Sequence, residues 1–318
     1  MTNQIEVYLE SPSQLLTGSG PVLQAAILDF FAAHIRNPNT RKAYARATSD
    51  FVSWAERHTI RSLDDVRAIH VAGWVEDMME RYATATVKQH LAGVSMLFNW
   101  LVVHQLLGSN PATSVRGPRQ RLAKGKTPAL DPDEARALIS SIDISAVIGL
   151  RDRALIGTML YSFARVGAAL AMNVEDVFTQ RRRLWLRLHE KGGKLHDMPC
   201  HHELEEWLVA YIETALIPGV GSIPLYQSVD KSSGALSGRR LLHANAWAMV
   251  KRRASAAGIS TEICNHSFRA TGITAYLSND GRLETAAKMA NHSSTRTTQL
   301  YDRRDDSVVL SEVERIRF

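Results

Sequence analysis

Cysteine is scarce in this chain, with only Cys200 and Cys264 among 318 residues. Two cysteines are too few for a disulfide framework, and these two lack zinc-site spacing, so a reducing, cytoplasmic setting is expected. Long apolar runs are missing as well. None approaches the roughly 18 residues needed to cross a bilayer. Glu6 and Glu10 precede the first apolar stretch where a secretory leader would carry basic residues, so a soluble protein with no membrane partner is expected. The chain has no Gly-x-x-x-x-Gly-Lys-Ser/Thr phosphate loop and no dense Asp/Glu cluster, so nothing calls for a nucleotide, a metal or another cofactor. Internal repeats and low-complexity tracts are absent too.

The composition that remains is that of a globular protein. Apolar residues make up 45% and charged residues 22%, so disorder is not the default. The length suits two domains. Lys and Arg number 38 against 32 Asp and Glu, giving a net charge of +6, an excess that permits polyanion binding without requiring it.

Residues 1–20 read as a polar N-terminal arm ending in Thr-Gly-Ser-Gly. Residues 21–107 read as a four-helix domain. One helix carries Tyr44, Phe51 and Trp54 on a single face, and another carries Val87, Leu91, Val94, Leu97, Phe98 and Leu101. Arg41, Lys42 and Arg46 fall off the first stripe, and Lys88 and Gln89 off the second. These residues form either a solvated face or a DNA-contacting one.

Residues 108–130 read as a linker, broken by Pro111, Gly117, Pro118, Gly125 and Pro128. Its cations Arg116, Arg119, Arg121, Lys124 and Lys126 face no acidic residue. They suit a flexible tether or a strap along a phosphate backbone.

Residues 131–318 read as a second, mostly helical domain. Asp131-Pro132-Asp133-Glu134 is a helix start, with Asp at the N-cap, Pro at N1 and Glu at N3. One long helical stretch is expected from Arg151 through Leu170. Leu184, Leu186 and Leu188 then alternate with Trp185, Arg187 and His189 in the strand period. Gly192-Gly193 makes a tight turn back through His196 and Met198. A Gly- and Ser-rich break is expected around residues 217–238, with helix after it. The fold class is therefore mainly α with one small antiparallel β-sheet.

The chemistry gathers near the end of the sequence, in His266-Ser267-Phe268-Arg269, His292 and Tyr301. His266 and Arg269, three apart on a helix, share a face. Ser293-Ser294 caps a short helix expected to carry Tyr301 about two turns along. A phenol beside fixed guanidinium groups suits attack on a phosphodiester. The five-coordinate transition state gains negative charge on its equatorial oxygens, and guanidinium groups stay charged and bond bidentately. Taken alone, each feature also has a plain structural use as a cap, a surface histidine or a partly buried aromatic. Cys200-His201-His202 reads as a solvated helix start more readily than as a metal site. Lys251, Arg252 and Arg253 read as either DNA contacts or a charged helix face, as do Arg303 and Arg304.

Taken in order, these segments resemble the tyrosine recombinases, also called phage-type integrases. Arg151-Asp152-Arg153-Ala154-Leu155, the run from Leu160 to Val166, and Asn173-Val174-Glu175-Asp176-Val177 resemble the family's first box. His266 to Arg269 resembles the second, and Asn291 to Tyr301 the third. The resemblance covers residues 25–305. It implies a DNA-binding N-terminal helical domain and a catalytic C-terminal domain closing as a C-shaped clamp on double-stranded DNA with paired half-sites. Four protomers would act on two sites and exchange a C-terminal segment. By matched position, Arg165 and Arg269 would grip the scissile phosphate, His292 would hydrogen-bond it, and Tyr301 would attack it to leave a 3′-phosphotyrosyl link. His266 would accept or position a proton. Lys191, with Lys194 as competitor, would protonate the leaving 5′ oxygen. The apolar tail of Val308, Val309, Leu310, Val313 and Ile316 would pack at home or dock on a neighbour. A type IB topoisomerase or a catalytically silent DNA-binding regulator would share parts of the pattern.

Three departures stand out. Phe163-Ala164 precede Arg165 where Gly-Leu is common. Ala168 stands where an acid is usual, and Asn291 replaces a glycine before His292.

Overall fold

The computed structural model describes residues 15, 20–119, 125–190, 192–215, 220–230 and 232–304. The N-terminal arm apart from Leu15 and Gly20, together with Arg121, Lys124, Lys191 and the apolar tail, lies outside these residues. The chain divides into two compact units, Met1–Arg121 and Leu122–Phe318. Among the described residues, no helix is long and apolar enough to cross a membrane.

The first unit is built on α1 (Pro21–Asp29), α2 (Pro38–Arg57), α3 (Ala68–Arg81) and α4 (Thr84–Val103), with a π-turn, Phe30–His34, closing α1. Asn37 starts α2 by accepting from the backbone N–H groups of Asn39 and Thr40. The stripes on α2 and α4 meet in the core, where Phe51 lies edge-on to both Trp74 and Phe98. Two tryptophan indoles are tied to polar partners. Trp74 Nε1 donates to Asp50 and Trp100 Nε1 to the Ala26 carbonyl.

The second unit opens with α5 (Pro132–Ser140), whose Asp131–Glu134 capping box forms as the sequence implies. The expected continuous helix from Arg151 to Leu170 does not form. α6 (Val147–Tyr161) stops, and α7 (Val166–Ala171) begins with Arg165 as its N-cap. Phe163 between them takes φ of 52°, a left-handed conformation that a continuous helix cannot contain. Helical periodicity persists across the break, so the sequence pattern gives no sign of it.

β1 (Val177–Gln180), β2 (Arg183–Glu190) and β3 (Lys194–Pro199) form an antiparallel sheet in chain order. Leu186 pairs with Met198 and Glu190 with Lys194. Gly192 and Gly193 turn the hairpin with φ of 81° and 76°. α8 (His202–Ala215) packs on α6. The Gly- and Ser-rich stretch is more ordered than expected, because β4 (Gln227–Val229) and β5 (Leu236–Arg240) form a second, two-stranded sheet. Arg240 ties it to the end of α7 by donating to the carbonyls of Leu170 and Met172 and to Asn173 Oδ1. The chain continues through α9 (His243–Ala256), α10 (Asn265–Ser278), α11 (Leu283–Met289) and α12 (Thr295–Gln299). Asp152, fully buried on α6, holds Arg151 beside it and Arg252 and Arg253 on α9.

Candidate active site

Arg269 is the centre of the site. It projects from α10 and is 1% exposed. Nη1 donates to the Phe163 carbonyl, and Nη2 to the Ala290 carbonyl and to His292 Nε2, the last at 2.6 Å. Its Nε has no hydrogen-bond partner among the described residues. Burial, then the charge of Arg165, pulls its pKa down to about 10, while Tyr301 and Glu190 act in the opposite direction. It remains a cation at neutral pH.

Two helix ends supply those carbonyls. At the first, left-handed Phe163 turns its carbonyl toward Arg269 and delivers Arg165 to the start of α7. At the second, α11 ends in a Schellman motif. The N–H of Asn291 bonds the Lys288 carbonyl, and the N–H of His292 bonds that of Ala287. Asn291 takes φ of 47°, a conformation that glycine and asparagine tolerate best, which accounts physically for asparagine at this position.

His292 sits just past that motif. Because Arg269 can only donate, Nε2 of His292 accepts. The proton therefore resides on Nδ1, which donates to the buried Thr298 Oγ1 at 2.9 Å. Burial and then the charges of Arg269 and Arg165 push its pKa down to about 3, so the imidazole is neutral. His266 opens α10 and its ring reaches solvent, unlike Arg269 one turn along. Partial desolvation and the charges of Arg269, Arg165 and His243 lower its pKa. His243 lies close by, its Nε2 3.3 Å from where a Cβ on Gly167 would stand.

Tyr301 reaches the same pocket within one subunit. Its ring stacks on His292 at 5.6 Å between centroids, and Arg269 Cζ lies 5.6 Å from the ring centre. The expected placement two turns along a helix is corrected, since α12 stops at Gln299 and Tyr301 follows its C-cap, Leu300. The segment is clasped from below. Gly125 N–H donates to the Leu300 carbonyl, and Arg303 donates to the Thr127 carbonyl at 2.6 and 3.0 Å. Thr274 Oγ1 donates to the Tyr301 carbonyl. Arg303 thus bonds backbone within its own unit, and Arg304 donates to the Leu277 carbonyl and pairs with the Asp302 carboxylate.

Arg165 is 38% exposed at its side chain and pairs through Nη1 with Glu190 Oε2 at 2.7 Å. Lys191 lies outside the described residues, and Lys194 is exposed at the start of β3. His196, also on β3, reaches the Met289 carbonyl at 3.1 Å and so links the hairpin to the end of α11.

Glu190, Thr298, His243 and the Phe163 carbonyl were not anticipated from sequence. Glu190 alone left a readable signal. It continues the inward positions of Leu186 and Leu188, where an acid is out of place.

The other anticipated DNA contacts divide by what they touch. Lys42, Arg46, Lys88, Gln89, Arg116, Arg119 and Lys126 are exposed. Arg41 donates to the Ile35 and Ala32 carbonyls. Lys251 lies 3.8 Å from Glu262 and over Trp247, and Arg252 pairs with Asp152. His201 stacks on Tyr161.

Comparison with known proteins agrees with this geometry. Residues 128–307 match the phage integrase family, and residues 23–106 match the phage integrase N-terminal SAM-like domain. Tyrosine recombinase XerD of Pseudomonas putida is 25% identical over 266 residues, 83% of this chain and 86% of that protein. Tyrosine recombinase XerC of Chlamydia muridarum is 27% identical over 231 residues, 71% and 69% of the two chains. Among solved structures, the XerH site-specific recombinase in a post-cleavage complex with palindromic difH shares the fold. Its TM-score is 0.69 at 16% identity, covering 99% of this chain and 96% of that one. A lambda integrase tetramer bound to a Holliday junction aligns with a TM-score of 0.66 at 16% identity, covering 97% and 88%. The chain belongs to the phage integrase family, the tyrosine recombinases.

Proposed function

We propose that this chain recombines DNA at specific sites by cleaving and rejoining strands through a 3′-phosphotyrosyl bond, with Tyr301 as nucleophile acting in its own subunit. The observation that carries the reading is the Tyr301 ring stacked on His292 and flanked by Arg269. Arg165, with its open edge, and Arg269, with its unpartnered Nε, bind the non-bridging phosphate oxygens. Each such donor is worth about 3–4 kcal/mol of transition-state stabilisation. His292 accepts from Arg269 in the free protein. A phosphate anion beside it raises its proton affinity and turns Nε2 into a donor. A phenol of pKa about 10 needs this cationic surround, or His266 as proton acceptor, to attack at neutral pH. Lys191 is the proposed acid for the 5′ leaving oxygen, with Lys194 as its competitor. The covalent bond conserves the phosphodiester energy, so rejoining needs no nucleotide.

Lys42, Arg46, Lys88, Gln89, Arg116, Arg119 and Lys126 are proposed to contact the duplex backbone. Two copies on paired half-sites, and four copies on two sites, would exchange strands in turn, with residues 308–316 as the exchanged segment. Integration or excision of a mobile element in the cytoplasm is the proposed setting. A suicide DNA substrate is expected to trap a covalent adduct with the wild-type chain and none with Tyr301→Phe. Adduct formation by the Phe variant would remove Tyr301 from the nucleophile role.

A further inference from the structure

We infer that Glu190 is the positioning residue for Arg165, a role resting on the reading of Arg165 as a phosphate-binding group. Strand β2 turns Leu186 and Leu188 inward, and Glu190 is the next inward position, with its side chain 4% exposed. A carboxylate in such a place is costly to bury unless it is paired. Its partner is Arg165 Nη1, 2.7 Å away.

The two arginines of the site are held in opposite ways. Arg269 is buried and fixed by two carbonyls and an imidazole. Arg165, its side chain 38% exposed, stands at the start of a six-residue helix, and Glu190 is the one side chain bonded to its guanidinium among the described residues. Ala168, three residues on and buried, offers no acceptor. Without Glu190 the long Arg165 side chain has no hydrogen bond to select the rotamer that faces the pocket.

Glu190 also acts on the pair as a whole. Its charge supports the protonated form of Arg269 against the repulsion of Arg165. It is also the residue before Lys191, so the same strand end that orients Arg165 leads into the hairpin turn. Glu190 touches no reacting atom and acts through Arg165.

The test is a double-mutant cycle on single-turnover cleavage of a suicide substrate at saturating protein, comparing wild type, Glu190→Ala, Arg165→Ala and the double variant. DNA binding and thermal melting are measured on the same proteins. Glu190→Ala is expected to slow cleavage about a hundredfold, the effect of a small misplacement of a reacting group. DNA affinity should change by less than about threefold, since Glu190 itself faces no phosphate. In the Arg165→Ala background the further loss should vanish, because neighbours acting through one another are not additive. Equal losses in both backgrounds, or full activity of Glu190→Ala beside an inactive Arg165→Ala, would overturn the positioning role alone. Full activity of Arg165→Ala would instead sink the phosphate-binding reading beneath it. Should Glu190→Ala fail to fold, Glu190→Leu fills the buried position without an acceptor, and the same cycle run with it reads the same coupling.

Discussion

The two units treat charge in opposite ways. Among the described residues, the first unit buries Thr48 and His90 as its polar side chains and no Asp, Glu, Lys or Arg. The second buries Arg151, Asp152, Asp176, Glu190 and Arg269. In the first, helix stripes sort apolar from charged, and the cations remain at the surface where a polyanion can reach them. In the second, charges have been taken out of water and must be held by partners, since an unpaired buried ion is expensive. The interior of the second unit is therefore stabilised less by its charges than it is shaped by them. That shaping places two guanidinium groups around one pocket.

The contrast can be broken most severely at Arg269. Arg269→Ala leaves the Phe163 and Ala290 carbonyls without their donor. Cleavage should fall by about 10²–10³-fold, as for a lost transition-state donor. Unfolding free energy should drop by roughly 3–5 kcal/mol, as when one partner of a buried network is removed. Single-turnover cleavage and urea denaturation measure the two losses.

Asp152→Asn should destabilise the second unit by a similar amount, about 3 kcal/mol, because three arginines lose one carboxylate. Thermal unfolding followed by tryptophan fluorescence would show it, and an unchanged transition would mean that the cluster carries little.

Gly272→Ala tests packing without charge. A Cβ there would fall 2.2 Å from the Leu160 carbonyl, where α10 crosses the end of α6. The expected loss is about 1–3 kcal/mol, read by the same melt.

Acid should act next, on the site histidines of the second unit and on buried His90 of the first, whose pKa is also lowered by burial. His292 and His266 have folded pKa values below the ordinary 6.5. The unfolded chain then binds more protons below that pH, so stability present above about 6.5 is lost as pH falls toward the folded values. His292→Gln should flatten the decline in urea midpoint between pH 6.5 and 4. An unaltered slope would assign the effect elsewhere.

The smallest effect on stability belongs to the first unit. Lys42→Ala with Arg46→Ala should change unfolding free energy by less than about 0.5 kcal/mol for each exposed site. The same pair should lower the slope of log affinity against log salt by about 2. Retention of the slope would place these cations off the duplex.

What could be read in the sequence follows the same division. The α2 and α4 stripes, the Asp131 cap and the β2 alternation were legible because local pattern and tertiary burial agree there. The grouping of His266, Arg269, His292 and Tyr301 was legible because they form an ordered pattern near the end of the sequence, and the structure brings Arg269, His292 and Tyr301 together. The break at Phe163 was hidden. No glycine or proline marks it, and a bulky side chain is held left-handed by its packing against Ile273, Leu277 and Tyr276. The β4–β5 ladder was hidden by its shortness. The position three residues along from Arg165 holds Ala168, whereas the acid bonded to Arg165, Glu190, arrives from a different strand. Proximity in sequence misled where proximity in space decides.

One seam has a mechanical consequence. The Gly125 and Thr127 backbone is stitched to Leu300 and Arg303 on either side of Tyr301. Displacing residues 125–127 would therefore shift the backbone on both sides of Tyr301, through the Gly125 N–H and the Arg303 guanidinium. The place of the phenol is set as much by a loop far back in the chain as by the helix that leads into it.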